Sequence, residues 1–228
     1  MLITHLLKLD HSLNSDTWNN WYHSLESERQ NKIDNLRFPD DQLRSLTAGV
    51  LLQSMLFNYC QLPPDELFFS TSKQGKPFLA SHPDIFFNLT HSGEYVCCSV
   101  STAPVGIDIE QMESIDVNGI ARFFSIHEQK YIHSRQTKTE QLDAFYSIWT
   151  LKEAFSKTVG HGLSLPMDTY HFILNGESIS LSTQIKNDYQ FYSRIIDNHY
   201  KFALSSSILS KNVEKHLTLT ELVKTVSL

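Results

Sequence analysis

The stretch VGIDIEQ (Val105–Gln111) is an apolar run, typical of a buried strand, that nevertheless carries the carboxylates Asp108 and Glu110. Residues i and i+2 of a strand project from one face, so these two side chains would lie side by side. Ile107 and Ile109 would face the other way. Adjacent carboxylates repel, and both stay ionised when a cation or strong donors lie between them. The pattern predicts either a divalent-cation site with oxygen ligands or an ordinary strand end that reaches solvent.

A second group of charged residues lies in the stretch WTLKEAFSK. Trp149, Glu153 and Lys157 recur at the spacing that places side chains on one face of a helix. A Glu–Lys pair at this spacing is also an ordinary surface pair worth about 0.2–0.5 kcal/mol, so the spacing alone proves little. Together with Asp108 and Glu110, however, these residues could supply three oxygen ligands and one cation that neutralises a phosphate.

Two shorter motifs contain groups suited to a phosphate. FNLTHSG places Thr90 and His91 at the end of a predicted strand, where they either donate to a phosphate or are ordinary turn residues. KQGKP contains Gly75, which lets the backbone approach a ligand, and Lys73 or Lys76 could meet a phosphate, although alone the motif is just a turn. A thiol nucleophile formed by Cys97 or Cys98 with His91 is a weak alternative, because both cysteines lie in a predicted buried strand.

The composition excludes several classes of protein. The chain has 228 residues and a formal net charge of −6, so it lacks the excess of Lys and Arg typical of proteins that bind long nucleic acids. Its three cysteines match neither a disulfide framework nor a zinc pattern, which fits a reducing cytosol. The sequence contains no signal peptide pattern and no apolar run of the ~18 residues that span a bilayer. We expect a cytoplasmic protein that binds neither membrane nor nucleic acid.

The order of predicted elements indicates an α+β protein. A first strand is predicted at the N-terminus, and apolar residues recur at helical spacing in residues 16–36, 40–60, 115–124, 125–135 and 140–160. Strand-like patterns occupy residues 67–111 and 168–206, the second of which suggests another antiparallel sheet. This layout predicts two similar α+β halves, residues 1–104 and 105–228, each a small antiparallel sheet with packed helices.

Five stretches together resemble a known family. GKPF, FNLTHSG, VGIDIE, RFFSIHE and FYSIWTLKEAFSKTVGHGLSLP, in this order, are similar to the 4′-phosphopantetheinyl transferases that activate nonribosomal peptide synthetases such as surfactin synthetase. The resemblance covers residues 37–166. It implies a Mg²⁺-dependent holo-[carrier protein] synthase, which moves phosphopantetheine from coenzyme A to a serine of an apo carrier protein and releases adenosine 3′,5′-bisphosphate. It also implies a monomeric pseudo-dimer with the ligand between its halves, and a role in nonribosomal peptide or polyketide biosynthesis.

The resemblance implies a metal site and a catalytic site. Asp108, Glu110 and Glu153 would bind Mg²⁺ together with pyrophosphate oxygens of coenzyme A, and Lys157 would contact the phosphates. Glu153 is the candidate general base for the serine hydroxyl, with Glu110 or a bound water as alternatives.

The resemblance also implies contacts with coenzyme A. Thr90, His91 and Lys157 would contact phosphates, while Lys76 and Arg44 would hold the nucleotide end. The basic residues available for the 3′-phosphate are Arg29, Lys32 and Arg37.

The carrier protein of this family is a small acidic helical domain. Because the chain itself is acidic, docking requires a local basic or apolar patch, and residues 123–135 with Lys130 and Arg135 are the candidate surface. Glu128 in the same stretch matches a family position, and the sequence leaves open whether it is catalytic or structural.

Two other functions stay open: a Mg²⁺-dependent nuclease or phosphohydrolase, and a silent module that binds coenzyme A or a carrier protein.

Overall fold

The computed structural model of the protein describes residues 1–185 and 188–226. The helices are α1 (Ser15–Ser24), α2 (Ser27–Asp34), α3 (Pro39–Cys60), α4 (Val117–Ala121), α5 (Ile126–His133), α6 (Lys138–Val159) and α7 (Leu219–Val226). The strands are β1 (Leu2–Lys8), β2 (Phe69–Thr71), β3 (Pro77–Leu79), β4 (Phe86–Ser92), β5 (Tyr95–Ser101), β6 (Val105–Gln111), β7 (His171–Asn175), β8 (Ser178–Ser182), β9 (Gln190–Ile196), β10 (Tyr200–Ser206) and β11 (Asn212–Thr218). No helix in this part of the chain is long and apolar enough to cross a membrane.

The order of elements in the first half is repeated in the second. A strand, two short helices, a long helix, a two-stranded hairpin and two further strands run from β1 to β5, and the same series runs from β6 to β10. The long helices α3 and α6 have the same length of 22 residues. This repeat confirms the predicted pseudo-dimer of two α+β halves. β11 and α7 follow it without a counterpart.

Two sheets form the centre of the molecule. One has the strand order β11-β1-β5-β4 and the other has the order β6-β10-β9. The predicted small antiparallel sheet of each half is confirmed, and β11 adds one parallel pairing, with β1. A strand from the end of the chain therefore covers an edge of the first sheet that would otherwise present unpaired backbone groups.

The sheets pack face to face and each carries a long helix on its other face. Apolar side chains from both sheets, including Leu6, Ile107 and Phe202, form one buried cluster. Leu51 of α3 belongs to a cluster with the first sheet, and Phe155 of α6 to one with the second. Burial on both faces explains why VGIDIEQ is so apolar.

The seam between the halves is closed by side chains. β4 and β6 are edge strands of different sheets, yet three β4 side chains accept hydrogen bonds from β6 backbone N–H groups. The pairs are Asn88 with Ile107 at 2.8 Å, Thr90 with Ile109 at 3.3 Å, and Ser92 with Gln111 at 3.0 Å. These bonds satisfy donors that the sheet leaves open and fix β4 beside β6.

The stretch 16–36, predicted as helical throughout, forms two helices with a break at Leu25. The side-chain amide of Gln30 donates to the backbone oxygens of Tyr22 and Leu25, both at 2.9 Å. These hydrogen bonds satisfy backbone oxygens at the end of α1. The break between the two helices also lets Trp21 and Ile33 pack into the same buried cluster.

Candidate active site

A cavity of about 580 Å³ lies between β4, β6, α6 and the loop that joins β2 to β3. Seven of the eight predicted site residues line it: Lys76, Thr90, His91, Asp108, Glu110, Glu153 and Lys157. Residues far apart in sequence thus meet at the seam between the two halves. Carboxylates from one strand and one helix face cations within a single cleft.

Asp108 is the most enclosed carboxylate of this cavity, with 3% of its surface exposed. Its Oδ1 accepts hydrogen bonds from the Lys157 ammonium at 2.6 Å and from the Thr90 hydroxyl at 3.2 Å. Its Oδ2 is buried and has no partner among the described residues. Desolvation raises the pKa of Asp108, and the charge of Lys157 acts in the opposite direction.

Glu110 is held from both sides. The Ser92 hydroxyl donates to Oε2 at 3.0 Å, and the indole N–H of Trp149 donates to Oε1 at 3.4 Å. Desolvation raises the pKa of Glu110, and the negative charge of Asp108 raises it further. The two carboxylates of VGIDIEQ are therefore fixed near each other at an electrostatic cost, as their spacing suggested.

Glu153 and Lys157 lie on the face of α6 that is turned to β6, together with Trp149. No described residue donates a hydrogen bond to the Glu153 carboxylate. Desolvation and the charge of Asp108 raise the pKa of Glu153, while Lys157 lowers it. A half-buried carboxylate of this kind is suited to accepting a proton or a cation.

The glycine of VGIDIEQ allows α6 to approach β6 this closely. A Cβ atom on Gly106 would lie 2.0 Å from the backbone oxygen of Ala154, a distance that no side chain tolerates. Ala154 directly follows Glu153. Gly106 thus sets the depth at which the α6 side chains enter the cavity.

The donor set fits Mg²⁺ bound together with a phosphate ligand. Within residues 1–185 and 188–226, no three candidate side chains are close enough to hold a metal ion by themselves. Mg²⁺ usually keeps several waters and needs only one or two protein carboxylates plus substrate phosphates. The unpartnered Oδ2 of Asp108 and the neighbouring Glu110 and Glu153 meet that requirement.

Basic side chains form another part of the cavity wall. The Lys76 ammonium donates to the backbone oxygens of Lys157 and Val105, and burial lowers its pKa to about 8. Arg29 and Lys32, which the sequence identified only as available basic residues, also line the cavity. Their spacing of three on a predicted helix was the signal that could have assigned them to one face.

His91 lines the same cavity near these cations. Desolvation lowers its pKa, and the positive charges of Arg44 and Lys32 lower it further. An anion at this position would relieve that repulsion. The geometry agrees with a phosphate-binding end of the cavity.

Two predicted residues are placed differently from the expectation. Arg44 lies away from Lys76, in the wall of a neighbouring cavity of about 750 Å³ that shares Glu110. It donates to the Gly93 backbone oxygen at 2.9 Å and to Asp41 at 2.6 Å. Thr90 directs its single hydroxyl hydrogen at Asp108, so in this arrangement it orients a carboxylate.

The structure identifies Glu128 as a structural residue. It is fully buried, caps the start of α5 through Ser125, and forms an ion pair with the equally buried Lys152 at 2.9 Å. Its Oε1 also accepts from the Phe172 backbone N–H at 2.9 Å. Glu128 therefore joins α5, α6 and β7.

The thiol alternative has no geometric support. Cys97 packs between the two sheets and Cys98 packs beneath α3, and both side chains are fully buried. Desolvation raises the pKa of both thiols, so neither is a nucleophile at neutral pH.

Comparisons with known proteins identify the family of the chain. Residues 12–103 match the family model "4′-phosphopantetheinyl transferase, N-terminal", and residues 104–213 match the model of the 4′-phosphopantetheinyl transferase superfamily. The chain is 35% identical over 162 residues to 4′-phosphopantetheinyl transferase Sfp of Bacillus subtilis (strain 168), which is 71% of this chain and 72% of that protein.

Two further relatives extend the comparison. The identity is 34% over 149 residues to 4′-phosphopantetheinyl transferase gsp of Aneurinibacillus migulanus, covering 65% of this chain and 61% of that protein. The holo-[acyl-carrier-protein] synthase of Thermotoga maritima aligns with 46% of this chain and 62% of its own, at 20% identity and a TM-score of 0.38. Neither a nuclease or phosphohydrolase nor a silent binding module is supported by these matches. The chain belongs to the 4′-phosphopantetheinyl transferase family and is an enzyme of that kind.

Proposed function

We propose that this transferase takes the 4′-phosphopantetheine group from coenzyme A and attaches it to a serine of an apo carrier protein in a Mg²⁺-dependent reaction. The observation that supports this most directly is the single cavity in which Asp108, Glu110 and Glu153 face Lys157 and Lys76. A cleft in which carboxylates and cations lie close together suits a pyrophosphate with its counter-ion. The protein would act as a monomer in the cytoplasm, on carrier proteins of nonribosomal peptide or polyketide synthesis.

The reaction joins the serine oxygen to the phosphorus that carries pantetheine and breaks the bond from that phosphorus to the bridging pyrophosphate oxygen. Glu153 is the proposed base that accepts the serine proton, either directly or through water, with Glu110 or the water itself as alternatives. Lys157 and Lys76 would stabilise the charge on the departing adenosine 3′,5′-bisphosphate. When bound by Asp108, Glu110 and Glu153, Mg²⁺ would neutralise and polarise the pyrophosphate.

The basic wall would hold the nucleotide end of coenzyme A. Arg29, Lys32 and His91 line the cavity and offer donors to the 3′-phosphate. The positive charge of Arg44, in the neighbouring cavity, also acts on His91 and lowers its pKa. Holding the donor at both ends would align its pyrophosphate with an incoming hydroxyl.

The carrier protein would dock on residues 123–135. Phe123 and Ile126 are exposed large apolar side chains, with 58% and 57% of their surfaces accessible, and Lys130 is exposed beside them. Arg135 stacks on Tyr131, with the guanidinium carbon 4.0 Å from the ring centre. Charge reversal at Lys130 should raise KM for an acidic carrier without changing kcat. Lys130 is the cleaner test, because replacing Arg135 would also remove its packing against Tyr131. An unchanged KM for Lys130→Glu would contradict this assignment.

Intact-protein mass spectrometry tests the function. An apo carrier protein incubated with the enzyme, coenzyme A and Mg²⁺ should gain the mass of one phosphopantetheine group, and EDTA should prevent the gain. Asp108→Ala and Glu153→Gln should abolish transfer while circular dichroism shows an intact fold. Glu177→Gln, outside this cavity, is the control that should retain activity. No gain with several carrier types, or a gain that EDTA leaves unchanged, would contradict the proposal.

A further inference from the structure

The internal repeat gives each half an equivalent place for a cavity. Asp108 and His5 are the middle residues of the seven-residue strands β6 and β1. They also have the same register, since Asp108 pairs with Ala203 and His5 with Cys98, the middle residues of β10 and β5. His5 is therefore the counterpart of Asp108 in the first half.

The long helices extend this correspondence. Ser54 and Asn58 stand as far from the start of α3 as Glu153 and Lys157 stand from the start of α6. His5, Ser54 and Asn58 all line one cavity of about 310 Å³. The three main acidic and basic positions of the catalytic cavity thus have counterparts that also meet around a cavity.

Part of the lining of the second cavity comes from elements outside the internal repeat. β11 and α7, the elements without a counterpart, contribute Lys215 and Thr225 to it, and Tyr59 of α3 completes its polar lining. The lining contains no Asp or Glu among the described residues. The catalytic cavity is rich in carboxylates, whereas this one offers hydroxyls, an amide, an imidazole and an ammonium.

The polar groups of this cavity form one connected cluster. The Tyr59 hydroxyl lies 3.0 Å from His5 Nε2, and the Lys215 ammonium lies 5.3 Å from the centre of the Tyr59 ring. Lys215 makes no ion pair with any residue that the structure describes. Lys215 is an exposed residue, so its ammonium is accessible to an anion that enters the cavity from solvent.

His5 has an unused nitrogen in the same cluster. The residue is 8% exposed, and its Nδ1 is buried without a partner in the described part of the chain. Desolvation and the charge of Lys215 lower its pKa to about 4, so the ring is neutral at pH 7. A negative group near Lys215 would offset the repulsion between the ammonium and a protonated ring.

We propose that this second cavity, formed by His5, Tyr59 and Lys215, is a binding site for a small oxyanion such as a phosphate or carboxylate. Lys215 would supply the charge, and the Ser54 hydroxyl and the Asn58 amide would supply further hydrogen bonds. The site does not depend on the proposed reaction. It gives the first half an anion site without carboxylates at the place equivalent to the carboxylate cluster.

Equilibrium dialysis of radiolabelled inorganic phosphate tests the proposal, with and without saturating coenzyme A to occupy the catalytic cavity. The wild type should retain one phosphate per chain when coenzyme A is present. Lys215→Met should weaken that binding by about tenfold or more, the loss expected for one charge-assisted contact. Lys211→Met, on an exposed turn outside the cavity, is the matched control and should bind as the wild type does.

A second arm separates the two anion classes. Acetate that displaces the labelled phosphate would indicate a carboxylate site, and a lack of displacement would indicate a phosphate site. Asn58→Ala, at an exposed helix position, should also weaken binding and checks that the effect is not confined to Lys215. The proposal is overturned if neither anion binds below about 10 mM, or if Lys215→Met binds phosphate as tightly as Lys211→Met does.

Discussion

The ammonium nitrogen of Lys157 lies 2.6 Å from Oδ1 of Asp108, so a helix of the second half neutralises the carboxylate at the centre of VGIDIEQ. The contact is strong because Asp108 is almost completely buried and Lys157 only partly so. The charge of Lys157 lowers the pKa of Asp108 and so opposes the desolvation that raises it. The two residues therefore act as a unit.

Replacement of Lys157 tests that unit. Lys157→Met should lower kcat by about 10²–10³-fold, the range found when one preorganised charge or donor is removed from a developing anion. The fold should persist, because Lys157 is at the cavity wall. Steady-state transfer to an apo carrier protein measures the effect. Lys138→Met, at the exposed start of the same helix, should leave kcat unchanged, and equal rates for both variants would contradict the role of Lys157.

The buried pair of Glu128 and Lys152 should govern stability. Glu128→Gln or Lys152→Met alone should lower the free energy of unfolding by about 3–5 kcal/mol, because each leaves a buried charge without its partner. The double variant should be less destabilised than the sum of the single variants. Urea denaturation of the four proteins gives the coupling energy directly, and strict additivity would show that the pair is not coupled.

Gly106 should tolerate no side chain. Gly106→Ala would place a methyl group against the Ala154 backbone oxygen, and relief requires α6 to move away from β6. We expect a loss of about 1–3 kcal/mol or more in unfolding free energy, and a fall in kcat because Glu153 and Lys157 move with the helix. Thermal unfolding and transfer assays on the same preparation measure both effects. A stable variant with a normal rate would show that α6 does not depend on this close approach.

Local sequence patterns were sufficient to predict which side chains of β6 and α6 line the cavity. The period of two in VGIDIEQ and the period of four in WTLKEAFSK place Asp108, Glu110, Glu153 and Lys157 on the faces that line the cavity. Burial of Glu128 could not be predicted in this way, because it depends on Lys152 and on the Phe172 backbone. These partners are distant in sequence. Pairing of β11 with β1 was missed for the same reason, since it joins the two ends of the chain.

The buried histidine of the first half should make stability depend on pH. The pKa of His5 is about 4 in the folded protein and 6.5 without burial, so the unfolded chain binds a proton that the folded chain excludes between those values. The free energy of unfolding should therefore fall as pH decreases from 6.5 to 4, by about 3 kcal/mol from this group.

His5→Gln is the matched variant, because an uncharged amide keeps the ability to bond to Tyr59 and does not titrate. The wild type and His5→Gln should have comparable unfolding free energies above pH 7, and on acidification to pH 4 the wild type should become the less stable of the two by about that amount. Urea denaturation in a buffer free of phosphate and carboxylate measures it, since an oxyanion near Lys215 would favour the protonated ring and flatten the wild-type curve. A difference that stays constant from pH 7 to pH 4 would mean that His5 is protonated in the folded protein at little cost.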